Sequence, residues 1–553
     1  MNRLNKAKSS FIIILALVFT AIISCKDLTD LNIDPNGIRP DVADLNLLLP
    51  TVITGVGQTV VSLGFGDIAG VMQHTQKDGW SGGHNSYDWS NAGQSWSGYY
   101  GTLRNAEEYY KKAVDGDYEF HQGVGLILKA YAFGLVTDLW GDAPYTDALK
   151  AELGSDYFKP KFDAQQNIYH GILADLETAN TLLSKSSSEY TNIKPVQDVL
   201  FKGNVAKWRK FANSLALRYY MRLSVKEPDY AEEGIRRITS DSENYPLITA
   251  STDDANVEYI GAASGDSWPT NTVFDVSPNG SYMRMKMCST LVEKLQSLND
   301  PRLGVWANKI EIPFVLVSGT NIDRVANGKR EISQDVADAY LTTYGIPIDF
   351  DQEYIGMPPG FVGGQAFNMK PDKAQGTYNP HASQLNDVYK AASGDLLQMR
   401  LISAAEVNFI LAEAAYRGWT GGSAENYYAQ GIQQSFNAWG IGSSFSGYLG
   451  GVPYSGLESI ITQKWIASWS AAAEAWFDWR RTGLPELHPG QVAKRPALPL
   501  RFYYNLNDEI EKNRENAEAA IAKLESTGFI GDDQTNNSAW SKMWVLQGTG
   551  KPY

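Results

Sequence analysis

Residues 124–145 read VGLILKAYAFGLVTDLWGDAPY, and this stretch decides the class of fold. Val124, Ile127, Leu128, Tyr131 and Leu135 recur at steps of three and four, which places them on one face of a helix. Gly141 then supplies the stop. Outward from it the same period returns. Trp208, Phe211, Leu215 and Tyr219 repeat it, as do Met399, Ile402, Phe409 and Tyr416 up to Gly418. Pro160 and the capping-box-like Asp163-x-x-Gln166 precede a stripe of Ile168, Ile172, Leu176 and Leu183. Ser459 to Trp479 reads as a further helix, with Arg480-Arg481 where cations favour the macrodipole and Gly483 as the C′ residue.

Between these helices lie irregular stretches, 79–101, 241–285 and 305–395, rich in Gly, Pro, Asn, Asp or Ser. Loops of that length are uncommon unless they carry function. No βαβα rhythm is present, so a doubly wound sheet is not expected. Neither a fixed-period repeat nor the Trp-x-x-Leu-Gly tetratricopeptide fingerprint is visible. The expectation is a mainly α scaffold carrying long irregular loops, with little β.

The chain has 553 residues and a formal charge of −14. That acidity argues against a nucleic-acid partner, since phosphate contacts require a basic face. Its 15 Trp and 30 Tyr outnumber its 20 Phe, so most rings carry a polar edge beside a flat apolar face. Such a bias suits interfaces and sugar-like ligands, and equally an aromatic core.

Enzyme signatures fail one by one. Gly93-Gln94-Ser95-Trp96 is followed by Ser97, so no nucleophile elbow forms, and Gly328-Lys329 lacks the frame of a phosphate loop. The six His are scattered without a zinc motif, and nothing calls for a cofactor or metal. Asp138, Asp142 and Asp147 are read as shaping a turn. Glu406 and Glu413 share one helix face, where a structural hydrogen bond is the favoured reading. A glycosidase needs only two carboxylates ~5–9.5 Å apart. With 62 acidic residues, a surface glycoside hydrolase stays an open alternative.

Arg3, Lys6 and Lys8 precede an apolar run from Phe11 to Ile23, the pattern of a secretory signal peptide. The run is too short to cross ~30 Å of hydrocarbon comfortably, and no later stretch approaches eighteen consecutive apolar residues. Ile22-Ile23-Ser24-Cys25 looks like a bacterial lipobox, in which cleavage exposes a cysteine that is then acylated. Lys26-Asp27 resembles the charged signal that sends some Bacteroidota lipoproteins to the cell surface. With Cys25 lipidated, Cys288 has no partner within the chain. The expected division is a signal peptide over 1–24, a lipidated tether and entry segment over 25–45, and one ligand-binding domain over 46–553. Asn32-Ile33-Asp34-Pro35-Asn36-Gly37 reads as a turn, because Ala43 stands where a calcium loop requires Glu.

Dispersed motifs then agree in order and spacing. They are Leu31-Asn32-Ile33-Asp34-Pro35-Asn36, Thr137 to Tyr145, Lys207 to Leu215, Asn299-Asp300-Pro301-Arg302-Leu303, Ala404 to Phe409 with Ala412-Glu413-Ala414, Gln463 to Ala467, Trp479-Arg480-Arg481-Thr482-Gly483, Pro499 to Tyr504, and Glu511-x-Asn513. With them the chain resembles the SusD/RagB family of nutrient-binding outer-membrane lipoproteins, in its SusD-like subgroup. The resemblance implies tetratricopeptide-like helix pairs under a loop-rich ligand face. It also implies a non-catalytic surface lipoprotein, lipid-anchored in the outer membrane. Such a protein captures glycan, or in some branches peptide, for a SusC-like TonB-dependent barrel transporter. No binding residue is carried over, because the shared motifs include no fixed ligand motif.

The candidate site therefore rests on chemistry. Sugar C–H faces stack on Trp and Tyr rings, while hydroxyls need amide and carboxylate partners. Trp80, Tyr87, Trp89 and Trp96, with Asn85 and Asp88 interleaved, supply both kinds in one loop. Trp268 and Tyr282 are expected to add a second wall. These rings could instead anchor the loop or pack against the transporter.

Overall fold

The computed structural model describes residues 44–77, 82–90, 94–362, 364–369, 378–508, 510–533 and 535–553. Cys25, the leader, the Asn32–Gly37 turn and Trp80 lie outside the described residues. The chain divides into two units, Met1–Leu47 and Leu48–Tyr553, and the second holds nearly all of the described structure.

Helices dominate. After α1 (Leu45–Gly64) come α2 (Ser97–Asp115), α3 (Glu119–Trp140), α4 (Gln165–Leu182), α5 (Val205–Leu223) and α6 (Pro228–Ser240). From α2 to α6, each packs on its successor. After α7 (Ser289–Ser297) and α8 (Gln334–Tyr344), a second set follows: α9 (Ala404–Tyr416), α10 (Ala424–Ala438), α11 (Leu457–Ala467) and α12 (Ala472–Thr482). Helix α9 packs on α10, α11 and α5, and so joins the two sets. Helix α3 meets α2, α4 and α5, so nearly all of its residues are buried. Two helical stretches, Leu45–Val71 and Glu119–Trp140, are long and apolar enough to cross a membrane. This modifies the sequence reading. For α3 the apolar length serves the protein core, since 19 of its 22 residues are buried.

Strands are short: β1 (Thr75–Lys77), β2 (Ala143–Pro144), β3 (Phe162–Asp163), β4 (Ala255–Glu258), β5 (Met285–Met287), β6 (Phe314–Leu316), β7 (Asp323–Ala326), β8 (Lys329–Ile332) and β9 (Gln398–Ile402). They form the antiparallel pairs β1–β5, β2–β3 and β4–β9 and a three-stranded sheet ordered β6-β8-β7. In the first pair Thr75 lies opposite Met287 and Lys77 opposite Met285. Cys288 follows β5. It is fully buried, its N–H donates to the His74 carbonyl (3.0 Å), and burial pushes its thiol up to about 12.

Three local expectations need correction. Met399 and Ile402 belong to β9, which pairs with β4, and Ser403 then caps α9 by accepting from the Glu406 N–H at 3.2 Å. The segment read as one helix from Ser459 is two, broken between Ala467 and Ala472, where Ser470 adopts φ +68°. A Cβ on Gly64 would come within 2.7 Å of the Ser470 carbonyl and the Ala471 backbone, so α1 approaches this break too closely for any side chain. The Asp163 capping box is absent, because Asp163 accepts from the Tyr145 and Thr146 N–H groups instead. Asp142 takes over from across the turn and accepts from the Gln165 N–H at 2.8 Å.

Arg480 and Arg481 do stand in the last turn of α12, and both are buried there. Arg480 donates to the carbonyls of Asp138 and Leu500, both at 2.7 Å. Arg481 holds Glu413 (2.7 Å) and Asp478 (2.9 Å). Arg218 grips Glu406 with two 2.7 Å bonds, and Arg222 reaches Glu474 (2.6 Å) and Asp138 (3.2 Å). Glu406 and Glu413 are thus structural anchors, as the sequence favoured. Gly483 does end α12 in the left-handed region.

Candidate functional site

The C-terminal end of α1 stands between two cavities. The larger, about 660 Å³, is bounded by Gln58, Val61, Ser62 and Phe65 on one side and by the irregular segment 259–285 on the other. Its wall is rich in small hydroxyls and amides: Ser264, Ser267, Thr270, Ser277, Asn279 and Ser281. Gln58 donates to the Gly265 carbonyl (3.0 Å) and ties the two sides together. Lys77 and Arg284 also line it, brought side by side because Lys77 lies opposite Met285 in the β1–β5 ladder. The Asp275 carboxylate on the same wall accepts the N–H groups of Ser277 (3.4 Å) and Ser281 (2.9 Å), which fold its own turn. Ile260, Val273, Phe274 and Val276 of this segment stand exposed.

The smaller cavity, about 430 Å³, shares Ser62 and is lined by Asp67, Asp88, Trp89, Ser90, Gln94, Tyr99 and Phe502 among others. Asp67 lies 3.7 Å from the buried His84 ring. Burial alone pushes the Asp67 carboxyl up, but the hydrogen bond and charge of His84, with Lys77 beyond, bring it below its ordinary value. Gly70 makes this corner possible, since a Cβ there would come within 2.1 Å of the His84 carbonyl.

The sequence-predicted residues divide between these cavities and the core. Asp88 and Trp89 line the smaller cavity. Asp88 is exposed and pairs with Lys494 at 3.2 Å. Trp89 is mostly buried, with its indole N–H on the Gly83 carbonyl (2.9 Å) and its ring edge-on to Trp476 and Phe502. Asn85 works at one remove: its side chain accepts from the Lys77 N–H (2.9 Å) and donates to the Lys77 carbonyl (2.6 Å). The expectation of open ring faces fails for all five described rings, since the other four are buried as Trp89 is. Tyr87 is fully buried. Trp96 packs among Tyr100, Trp140, Phe162 and Tyr504. Trp268 packs on Phe65, Tyr259 and Tyr389, and so backs the wall of the larger cavity without forming it. The hydroxyl of the buried Tyr282 donates to the Leu385 carbonyl at 2.7 Å.

Lys77, Arg284 and Tyr99 were missed as site residues. Tyr99 belonged to the same aromatic stretch, and its place in the lining of the smaller cavity singles it out. The juxtaposition of Lys77 and Arg284 arises from a strand pairing over about two hundred residues, which no local pattern encodes. Among the described residues no cluster of His, Cys, Asp and Glu suits a metal ion.

Comparisons with known proteins bear on both cavities. The SusD-like model described as "Starch-binding associating with outer membrane" matches residues 44–321 and 332–505. No curated protein matches the sequence. Among solved structures, a chitin-binding protein is 24% identical with a TM-score of 0.67, covering 90% of this chain and 98% of its own. A Bacteroides vulgatus protein, described as a candidate outer membrane protein for nutrient binding, is 23% identical with a TM-score of 0.69, covering 91% and 100%. A chitin-binding SusD homologue from Flavobacterium johnsoniae is 19% identical with a TM-score of 0.66, covering 90% and 99%. At these identities the structures speak for the fold.

Proposed function

The chain belongs to the SusD-like family associated with the outer membrane, and we propose that it captures oligosaccharide for a SusC-like TonB-dependent barrel, as a surface lipoprotein anchored through Cys25. One observation carries this reading: the matched residues include both cavities flanking the end of α1. Their walls offer hydroxyls, amides and carboxylates with a few ring edges, the complement of a hydroxyl-rich ligand. Among the described residues, polar side chains outnumber the apolar Val61, Phe65, Pro269 and Met285 in the lining of the larger cavity. That favours glycan over the peptide alternative. In this reading the ligand rests on Tyr99, with an edge of Trp89 in the wall beside it and Asp88 and Gln94 meeting hydroxyls, and Trp80 is proposed as a further contact. Tyr87, Trp96, Trp268 and Tyr282 hold the walls from behind, while Asn85 positions Lys77.

The protein binds without cleaving in this reading, since its buried carboxylate pairs serve the core. The test is calorimetric titration of residues 26–553 with panels of glycans and peptides, followed by product analysis. Tyr99→Ala is expected to weaken glycan binding about tenfold, the value of roughly 1.5 kcal/mol of ring contact. Unchanged affinity in Tyr99→Ala would remove the smaller cavity from the site. Release of shortened sugars, abolished by one carboxylate substitution, would instead establish a glycoside hydrolase. Cys25→Ser is expected to move the protein from the membrane to the soluble fraction, and retention there would refute the lipid anchor.

A further inference from the structure

We propose that Asn327 is a site of spontaneous chemical modification, where the side-chain amide is lost as ammonia and the hairpin turn becomes an aspartyl or isoaspartyl link. Three Asn-Gly pairs occur in the chain, at 36–37, 279–280 and 327–328, and the first lies outside the described residues. The other two differ in what surrounds the glycine. Asn327-Gly328 is the two-residue turn between β7 and β8, where Ala326 lies opposite Lys329. Both turn residues take positive φ, +53° and +72°, as a tight hairpin link of this kind requires. Both are exposed, and among the described residues no backbone carbonyl accepts the Gly328 N–H. No atom beyond its chain neighbours lies within 4 Å of a Cβ built on Gly328. The turn lines neither cavity and falls in the gap between the two stretches that the SusD-like model matches, so the inference goes beyond the glycan reading.

The chemistry needs only water. The Gly328 nitrogen, having lost its proton to solvent base, attacks the side-chain carbonyl carbon of Asn327. The new C–N bond closes a five-membered imide, the bond from that carbon to Nδ2 breaks, and ammonia leaves with a proton from water. Water then adds to either imide carbonyl and opens the ring as Asp or as its β-linked isomer. Glycine permits the attack because no Cβ stands beside its nitrogen. Charge around the turn assists it. Arg324 and Arg330 are paired with Glu331 (2.7 Å) and Asp323 (2.8 Å), whereas the exposed Lys329 reaches only the Gln352 side-chain carbonyl at 3.4 Å. A cation next to Gly328 favours the amide anion from which attack begins. At Asn279-Gly280 the same step is held back. The Gly280 N–H donates to the Ser277 carbonyl at 2.9 Å, and a Cβ on Gly280 would come within 2.6 Å of the Asp275 carboxylate. The proton that must leave is engaged there, and a negative charge stands where the anion would form. At Asn327 the isoaspartyl product adds a methylene to the main chain of a link whose length sets the Ala326–Lys329 register, so it loosens the hairpin.

The full-length protein is held at mildly alkaline pH, folded and in urea, sampled over weeks, and digested for mass mapping of the peptides that carry Asn279 and Asn327. Expected in the folded protein is conversion at Asn327 about tenfold faster than at Asn279, the scale of one engaged N–H. In urea, where that N–H is released, the two rates are expected to converge. Gly328→Ala is expected to slow conversion at Asn327 about tenfold and to leave Asn279 unchanged. Labelling by an isoaspartyl methyltransferase and limited trypsin cleavage after Lys329 are both expected to rise with conversion. Should Gly328→Ala itself loosen the hairpin, since Ala is strained at φ +72°, trypsin reveals it and the comparison of folded protein with urea decides alone. Equal rates at the two Asn in the folded protein, faster loss at Asn279, or a rate at Asn327 unmoved by Gly328→Ala in an intact hairpin overturns the inference. Each of these outcomes leaves the glycan reading to its own calorimetric test.

Discussion

The indole N–H groups explain much of the Trp surplus. Trp140 donates to the Tyr503 carbonyl, Trp465 to Met72, Trp476 to Pro499 and Trp540 to Ala497, each at 2.8–2.9 Å. Each ring fills core volume while its polar edge satisfies a carbonyl that an irregular segment leaves unpaired. Composition alone did not separate this use from ligand stacking, because both exploit the same flat face and polar edge. The buried charges are legible in hindsight only: Glu413 and Arg481 are 68 residues apart, and their pairing depends on how α9 meets the end of α12. Burial pushes the Glu413 carboxyl up, but Arg481 and Arg417 outweigh it and hold it below its ordinary value. Arg481→Met is expected to destabilise the fold by about 3 kcal/mol, read from urea unfolding, because it leaves the buried Glu413 with Arg417 alone and Asp478 with Lys464 alone. His74 adds a pH effect of defined sign. It is fully buried against Trp465 and lowered by that burial to about 3, so the unfolded chain takes up its proton first as pH falls below 6.5. Stability is therefore lost from pH 6.5 down toward 3, by on the order of 3 kcal/mol at pH 4 from this group. Asp254, raised by burial to about 7, works in the opposite direction between 4 and 7. Unfolding midpoints of His74→Gln are accordingly expected to fall less steeply with acid than those of the wild type; parallel curves would rule His74 out as the source.

At the scale of elements, periodicity succeeded wherever a helix has one buried face and neighbours on that side. Helix α4 follows its predicted stripe, whereas α5 buries its stripe together with every residue from Phe211 to Leu223. It failed where tertiary contacts set the boundary. The spacing of Met399, Ile402 and Phe409 passes for one helix, yet β4 recruits the first two into a strand. Ser403 marks the true start, and that signal was present in the sequence as a Ser three residues before Glu406. Ser403→Ala is expected to cost about 1 kcal/mol, read from the thermal midpoint, with no change in ligand affinity. The break between α11 and α12 had no local signal, since Ser468 to Ala471 contains neither Gly nor Pro. It exists because α1 approaches there through Gly64. Gly64→Ala is expected to destabilise by roughly 1–3 kcal/mol, since backbone atoms cannot step aside as a side chain would.

For the whole molecule, the mainly helical class was readable because amphipathic periods accumulate over many helices. The position of the two cavities was not, because the larger forms between α1 and a segment two hundred residues away and the smaller brings Phe502 to the loop after α1. The aromatic loop pointed to the smaller cavity, which Asp88 and Trp89 line, and gave no sign of the larger one. One further feature makes this neighbourhood measurable. Cys288 is sealed directly beyond β5, and in the protein lacking residues 1–25 it is the sole thiol. A thiol reagent then reports one event, the parting of the β1–β5 ladder that holds Lys77 beside Arg284. Labelling becomes a stopwatch for the cavity wall, and a ligand seated on that wall is expected to slow it.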